Sequence, residues 1–251
     1  MGGWKPRLHR QNPPPRVEEN AVKLRYLRPS AEADIVCVDA VSNRRLILIQ
    51  VYWYIIKIEQ SGVKAMSTTE KVRWTSADLE SLPDNGNRYE IIGGELVVTR
   101  APRWEHQNIV DNVCRTLGNW SIETGLGKAA TTAGLIFTDS DNVIPDVVWV
   151  SYERLAQILD EAGHLAGAPE LVVEVMSPGE ANEKRDRQSK LKLYSVQGVR
   201  EYWIFDRIQQ KVEIYRRDNG ILQLAMTLFK EDNLTSPLLP GFSVSVAGLF
   251  A

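Results

Sequence analysis

Apolar and polar positions follow a regular pattern from about residue 66 to the end of the chain. In "RYEIIGGELVV" two apolar runs flank Gly93-Gly94, which predicts a β-hairpin with the glycines at its tip. Ser76 is a suitable N-cap for a short helix over 77–81. Four apolar residues then recur at helical spacing and predict a helix over 105–124: Ile109, Val113, Leu117 and Trp120.

Beyond this helix the pattern alternates between strands and helices. Apolar runs predict four strands, over 129–138, 143–150, 170–176 and 201–205. The segment 151–169 is irregular, and a helix is predicted over 183–196. A last hairpin joins "KVEIYRRDNG" to the segment after Ile221. Strands mixed with a few helices indicate an α/β domain built around one central mixed sheet.

Residues 1–65 have a different character. Proline and arginine dominate the first thirty residues, and no periodic pattern lasts long. The apolar run over 46–58 could form a strand pair or a short helix, but nothing beside it supports a complete domain. We expect 1–65 to be a poorly ordered extension or an upstream start, followed by the working domain over 66–251. A small accessory domain is the alternative.

Charge and cysteine content narrow the class of protein. The chain has 43% hydrophobic and 25% charged residues, which is typical of a globular protein. The formal net charge is -2; residues 1–65 hold 11 Lys/Arg and 6 Asp/Glu, so residues 66–251 carry 19 and 26, or -7. This balance gives no overall attraction to nucleic acid, although a local basic groove is compatible with it. Two distant cysteines argue against a disulfide framework, and we expect a cytoplasmic protein without a membrane segment.

Two acidic residues stand in apolar surroundings. Asp146 follows Pro145 and precedes "VVWV", and Glu174 interrupts the apolar run "ELVVEVM". A buried carboxylate without a partner is costly, so such residues are usually paired, bound to a metal or placed at an accessible strand end. The chain between the two acids is long enough for them to lie on neighbouring strands and converge at one sheet edge. They could be ordinary strand-end acids, or the converging oxygen ligands that Mg²⁺ needs.

The helix predicted over 183–196 contributes a lysine. Leu191 and Tyr194 mark the face that packs on the sheet, and Lys190 lies beside that face. Lys190 could therefore reach over the sheet edge towards the two carboxylates, with Asp186 orienting it or pairing with it. The simpler interpretation of these charges is a solvated helix face.

A few other residues are candidates for a functional site. His106 stands at a predicted helix start, and Glu90 lies in the apolar hairpin, whereas Glu95 after the glycine turn is expected to be exposed. His164 lies in a Gly/Ala-rich loop and carries little signal. The sequence has no glycine-rich phosphate loop, no cysteine spacing suited to zinc and no G-x-S-x-G nucleophile motif.

Taken together, these features resemble the Uma2 family of restriction-endonuclease-like proteins (domain of unknown function 820). The resemblance covers about residues 74–250 and rests on six ordered blocks: "RYEIIGGELV", "HQNIV", "IPDVVWVS", "APELVVEVMSP", "RDRQSKLKLYSVQGVREYWIFD" and "SPLLPGFSVSVAGLF". The last two blocks are the most distinctive. Residues 1–65 have no counterpart in the resemblance.

The resemblance implies a PD-(D/E)XK nuclease-like fold, in which helices flank a central mixed sheet that carries acids at its forked edge. Asp146 matches the aspartate of the motif and Glu174 matches its second acid. The usual lysine position holds Met176, a departure typical of the family, in which Lys190 on the helix is the matching lysine. Glu170 stands where the family more often has aspartate, and we expect no consequence for the chemistry.

The implied activity is hydrolysis of phosphodiester bonds in DNA with Mg²⁺, or alternatively Mn²⁺. Asp146, Glu174 and the backbone carbonyl of Val175 are the expected metal ligands. Lys190 is expected to orient the attacking water or to stabilise the charge of the transition state.

Two further positions match the family near its cleft. Glu90 is expected to bind a second metal or a metal-bound water. His106 is expected to touch a phosphate or to shuttle a proton.

Two other classes of function remain open at this point. A catalytically silent module of the same fold would bind nucleic acid or a protein partner, and the net charge of residues 66–251 favours it slightly. A glycosidase using Asp146 and Glu174 would need an aromatic cleft, whereas Trp149 and Trp203 are expected to be buried. A homodimer is a candidate assembly, because two sites related by symmetry are the simplest way to cut both strands of a duplex.

Overall fold

The computed structural model describes residues 72–251. The predicted extension over 1–65, with its apolar run over 46–58, lies outside the described residues. Within 72–251 no helix is long and apolar enough to cross a membrane.

The described chain alternates between strands and helices. The α-helices are α1 Ser76–Glu80, α2 Trp104–Thr124, α3 Tyr152–Ile158, α4 Glu180–Lys184, α5 Leu191–Gln197 and α6 Val246–Leu249, with a π-helical segment Arg185–Lys190 between α4 and α5. The strands are β1 Arg88–Ile92, β2 Glu95–Thr99, β3 Gly127–Thr131, β4 Leu135–Thr138, β5 Asp141–Val143, β6 Val147–Ser151, β7 Leu171–Val175, β8 Glu201–Asp206, β9 Lys211–Asp218, β10 Ile221–Leu228, β11 Asn233–Ser236 and β12 Leu239–Ser245.

A six-stranded sheet forms the centre of the domain. Its strand order is β10-β9-β8-β7-β6-β3, and β7 and β8 run parallel while the other neighbours are antiparallel. A four-stranded sheet, β2-β1-β5-β4, and a two-stranded sheet, β11-β12, complete the strands described. The predicted class, a mixed α/β domain with a central mixed sheet, is confirmed.

The central sheet is covered on both faces. Residues of β6, β7 and β8 at odd positions, such as Val173 and Trp203, pack with α2 and the β11-β12 sheet. Those at even positions, such as Val172 and Ile204, pack with α5 and the four-stranded sheet. Because side chains alternate along a strand, Glu174 belongs to the face that α5 covers.

Two predicted strands are each divided in the structure. The segment predicted as one strand over 129–138 forms β3 and β4, separated near Thr132, whose φ of 51° lies in the left-handed region. The segment 143–150 forms the end of β5 and most of β6, and the break contains Pro145, which has no N–H to give to a sheet. Since β5 belongs to the four-stranded sheet and β6 to the central one, the chain passes between sheets just before Asp146.

Three helix predictions also need correction. Helix α1 begins at Ser76, and its N-cap is Thr75, whose N–H and hydroxyl donate to Asp78. The segment 151–169 is not entirely irregular, because its start forms α3, capped by Ser151. The helix predicted over 183–196 starts earlier, at Glu180, and contains the π-helical turns. Both predicted hairpins, the helix ending at Thr124 and strand β7 are confirmed.

Candidate active site

Asp146 and Glu174 lie side by side at the edge of the central sheet. Strands β6 and β7 are antiparallel, with Val147 opposite Val173, so the residue before β6 faces the residue after Val173. The backbone N–H of Val175 donates to Asp146 Oδ2 at 2.9 Å. The hydrogen bond fixes the Asp146 carboxylate against β7, and the two acids predicted from the sequence therefore occupy one location.

Glu174 is buried, and one of its carboxyl oxygens, Oε1, accepts two hydrogen bonds. Lys190 Nζ donates to Glu174 Oε1 at 2.8 Å, and Tyr194 Oη donates to the same oxygen at 2.9 Å. Burial raises the pKa of Glu174 to about 8, against the opposing effect of Lys190. The nearby carboxylates of Asp146 and Asp186 contribute to this rise. Glu174 therefore holds a proton at neutral pH in the absence of an added cation.

Lys190 bridges two acids from different sheets. Only 1% of this residue is exposed. Its Nζ lies 3.0 Å from Glu90 Oε1, in addition to its bond with Glu174. The same Glu90 oxygen accepts the N–H of Ile144 at 2.8 Å, which ties β1 to the segment before Asp146. Burial lowers the pKa of Lys190, but the surrounding carboxylates outweigh burial and raise it, so the side chain is an ammonium.

Two basic side chains hold Asp146. His106 Nε2 lies 3.2 Å from Asp146 Oδ2, and Arg88 Nη1 donates to Asp146 Oδ1 at 3.3 Å. Burial raises the pKa of Asp146, but His106, the amide of Val175 and Lys190 together outweigh it and hold the pKa below its usual value. Asp146 is thus a carboxylate at neutral pH, in contrast to its neighbour Glu174.

Asp186 does not play the part that the sequence suggested. Its carboxylate accepts hydrogen bonds from Arg185 Nε at 2.8 Å and Nη2 at 3.2 Å, rather than from Lys190. Its backbone carbonyl accepts the hydroxyl of Tyr202 at 3.1 Å. Neither Asp186 nor Lys190 lies on a solvated helix face, because both are buried in the π-helical segment. These two charged side chains, four residues apart, are thus both buried within one π-helical segment.

One small cleft collects all six residues predicted for the site. Its volume is about 40 Å³, and its lining includes Glu90, His106, Asp146, Glu174, Val175 and Lys190. Three further residues that contact acids in or next to this cleft were not predicted as site residues: Arg88, Arg185 and Tyr194. Arg88 stands two residues before Glu90, at the spacing that puts two side chains on one strand face, and this signal could have identified it.

Other residues considered from the sequence lie elsewhere. His164 is half exposed and its Nδ1 lies 3.9 Å from Asp160. Glu95 is exposed, as predicted. Glu170 accepts hydrogen bonds from Ser151, including one from its hydroxyl at 2.6 Å, and so supports the start of α3. The two tryptophans that a glycosidase would need for sugar stacking, Trp149 and Trp203, are buried in the core.

The donors of the cleft fit a divalent cation of the magnesium type. Within 72–251 no three His, Cys, Asp or Glu side chains form a ready-made metal cluster. Mg²⁺ does not need one, because it binds through one or two carboxylates and keeps several waters. Asp146 and Glu174 supply two adjacent carboxyl groups, and the backbone carbonyl of Val175 is a third oxygen. Burial raises the pKa of Glu174, and a bound cation would stabilise its ionised form.

Comparison with known proteins gives the family. Residues 76–247 match the sequence profile of Uma2, described as "Putative restriction endonuclease". The chain belongs to the Uma2 family. A search of curated proteins finds no match. Among solved structures, a "putative nuclease belonging to DUF820" from Anabaena variabilis ATCC 29413 is similar, with a TM-score of 0.57 and 18% sequence identity.

The structural similarity concerns the fold of the Uma2 domain. It covers 70% of this chain and 97% of the Anabaena chain. The family match begins at the first residue of α1 and ends within α6, so it includes the whole cleft and both sheets that form it. The resemblance seen in the sequence is confirmed, and the fold is that of a nuclease-like Uma2 protein.

Proposed function

We propose that this Uma2 protein is a Mg²⁺-dependent endonuclease that hydrolyses phosphodiester bonds in DNA. The observation that carries the proposal is the pairing of Asp146 with Glu174 across β6 and β7, with the Lys190 ammonium 2.8 Å from Glu174. Two adjacent carboxyl groups and one buried cation are suited to binding a metal and stabilising a phosphate. Membership of the Uma2 family supports the same reaction class.

Asp146, Glu174 and the carbonyl of Val175 would hold the ion. When bound, Mg²⁺ lowers the pKa of water and neutralises charge on a phosphate. Glu174 must lose its proton before it can act as a ligand, so metal binding is expected to release a proton and to weaken as the pH falls below about 8. Asp146 is already ionised, because His106 and Arg88 stabilise its charge.

The remaining residues of the cleft would orient and stabilise the substrate. Lys190 carries a fixed positive charge next to the carboxyl pair and would stabilise the charge that develops on the phosphate. Glu90 contacts Lys190 and the N–H of Ile144, which favours a role in positioning the lysine. His106 contacts Asp146 through Nε2, so that Nδ1 is the nitrogen suited to a phosphate contact or a proton transfer.

Plasmid nicking tests the proposal directly. Purified protein with Mg²⁺ or Mn²⁺ is expected to convert supercoiled DNA to the open circular form, and Asp146→Ala and Glu174→Ala are each expected to abolish the conversion. Glu201→Gln is a matched control, because Glu201 is equally buried on the adjacent strand but bonds to Arg216 and Trp203 instead. Cleavage that persists in both alanine variants would refute the assignment.

A silent nuclease-fold module is the second candidate. The formal charge of residues 66–251, with 19 Lys/Arg and 26 Asp/Glu, favours it, because a nuclease must neutralise phosphates. Calorimetric titration with Mn²⁺ separates the two. Heat that disappears in Asp146→Ala supports the enzyme, whereas no heat, or heat that this variant leaves unchanged, supports the module.

A further inference from the structure

A second pocket opens beside the candidate active site, and the charged side chains that line it are basic. Its volume is about 340 Å³, much larger than that of the cleft. Its lining includes Arg100, Arg103 and Arg207, together with His106, Ser177 and Asn182. We call it the arginine pocket. None of the described residues that line it is acidic. A positive pocket is unusual in a domain whose formal charge is negative.

The arginines of the pocket have no side-chain partner within the part of the chain that the structure describes. Among residues 72–251, no ion pair or side-chain hydrogen bond involves Arg100, Arg103 or Arg207, whereas Arg88, Arg185 and Arg187 are all paired with carboxylates. Arginines that stabilise the fold are normally bound to an acid, as those three are. Three unpaired guanidinium groups around one cavity are instead suited to an anion supplied from outside.

A buried polar atom points to the same ligand. His106 lines both the arginine pocket and the cleft, and its Nδ1 is buried without a hydrogen-bond partner among the described residues. Its other nitrogen, Nε2, already faces Asp146. A buried nitrogen without a partner is costly, so this atom is placed to contact a ligand bound where the pocket and the cleft meet.

The start of helix α2 adds to this arrangement. Arg103 occupies the N-cap, a position that usually holds Ser, Thr, Asp or Asn, and it makes no capping hydrogen bond. The first amides of this 21-residue helix are therefore left for another acceptor, and the helix dipole favours an anion there. The dipole only supports this assignment, since the unpaired arginines already favour a negatively charged ligand.

We propose that the arginine pocket binds a phosphate group of the nucleic-acid strand next to the phosphodiester bond that is cut. The proposal rests on the nuclease function proposed above, because the pocket and the cleft share the residues Thr99, Arg100, Pro102, His106 and Ser177. The pocket then supplies the local positive charge that the domain lacks as a whole. It gives the strand a fixed position relative to Asp146 and Glu174.

DNA binding by the full chain tests the pocket separately from cleavage. Fluorescence anisotropy is measured in EDTA with single-stranded and duplex oligonucleotides carrying a 3′ label, between about 50 and 200 mM KCl. The triple variant Arg100→Gln/Arg103→Gln/Arg207→Gln is expected to bind at least about tenfold more weakly and to reduce the slope of log K against log salt by about 0.7–0.9, the contribution of one neutralised phosphate.

Arg200→Gln is the matched control. Arg200 is also an exposed arginine without an ion pair among the described residues, but it directly precedes β8, whereas Arg207 directly follows that strand. Its replacement is expected to leave affinity and salt slope unchanged. The proposed phosphate site would be overturned if the triple variant bound DNA as tightly as the wild type, or if Arg200→Gln weakened DNA binding as much as the triple variant does.

The two proposals can fail independently. If Asp146→Ala abolishes cleavage while the triple variant binds normally, the nuclease assignment stands and the arginine pocket is wrong. If the wild type cuts nothing but the triple variant loses affinity, phosphate binding by the pocket stands and the nuclease assignment is wrong.

A comparison of oligonucleotides with a 5′-phosphate and a 5′-hydroxyl distinguishes the source of the phosphate. Equal affinity supports a phosphate within the strand, and a strict need for the 5′-phosphate would refute that position.

Discussion

Two clusters of charged residues include side chains of the π-helical segment, and the pKa values of their glutamates Glu174 and Glu213 shift in opposite directions. One cluster consists of the charged residues of the cleft and includes Lys190, the last residue of the segment. A second cluster lies where β8 ends and β9 begins, and we call it the Arg187 cluster: Glu183, Arg187, Asp206, Lys211 and Glu213. Arg187 donates to both oxygens of Glu213, at 3.0 and 2.9 Å.

The pKa values of Glu213 and Glu174 show how the two clusters differ. Burial raises the pKa of Glu213, but hydrogen bonds from Arg187 and Lys211 outweigh burial and lower it below its usual value. Burial dominates at Glu174, whose pKa rises to about 8, because one ammonium is shared between Glu174 and Glu90. A carboxylate that stabilises the fold has enough positive charge around it. Glu174 has less positive charge around it, which is compatible with the proposed role of Glu174 as a metal ligand.

Removing Lys190 is expected to have the largest effect on stability. Lys190→Met leaves Glu90 buried without its ion-pair partner and removes a hydrogen bond to Glu174, and breaking a buried ion pair costs about 3–5 kcal/mol. Urea unfolding monitored by circular dichroism measures the change. Arg187→Met is the comparison, and it is expected to cost less because Arg187 is partly exposed. Equal costs for the two variants would show that the clusters do not differ in the way proposed.

Glu174→Gln is expected to change the pH dependence of stability. The folded pKa of Glu174 is about 8 and its ordinary value is 4.5, so between these values the native state holds one proton that the unfolded state lacks. The free energy of unfolding of the wild type should therefore fall by about 1.4 kcal/mol per pH unit in this window. Glutamine carries no ionisable group, so the variant should lose this contribution. An identical pH profile in the variant would contradict the raised pKa.

The sequence was sufficient to predict the cleft as a set of residues. The apolar runs around Asp146 and Glu174 identify strands, and a carboxylate within such a run is an anomaly that indicates chemistry. Period-two alternation then assigns Glu174 to the face covered by the following helix, where Lys190 lies. The family resemblance added His106 and Glu90, which lie far from Lys190 in the chain.

The sequence could not predict how the charges are paired. Asp186 and Lys190 are four residues apart and would be neighbours on an α-helix, but the structure pairs Asp186 with Arg185 in a π-helical turn. Such a turn depends on tertiary packing, and no residue type signals it. The arginine pocket was missed for a similar reason, because Arg100 and Arg103 lie in the connection before α2 whereas Arg207 follows β8, and only the folded chain brings these two segments together.

Glu213→Gln is expected to show the opposite pH dependence, with a smaller amplitude. The lowered pKa of Glu213 means that its charge stabilises the native state above the ordinary carboxyl pKa, and that this contribution is lost as the pH falls through the folded pKa. Because the ion pairs are partly exposed, the expected loss at pH 7 is about 0.5–1 kcal/mol. The difference from wild type should shrink under acid, as measured by urea unfolding. DNA nicking should be unaffected.

Glu183→Ala is expected to have the smallest effect and sets the scale of the comparison. Its carboxylate lies 3.0 Å from Arg187 Nη1 across one helical turn, and its side chain is 52% exposed. Exposed pairs of this spacing contribute about 0.3–0.5 kcal/mol and weaken with added salt. Thermal unfolding at low and high KCl measures the change, which should disappear at high salt. A loss comparable to that of Lys190→Met would mean that the Arg187 cluster is as tightly coupled as the cleft, and the contrast between the clusters would then fail.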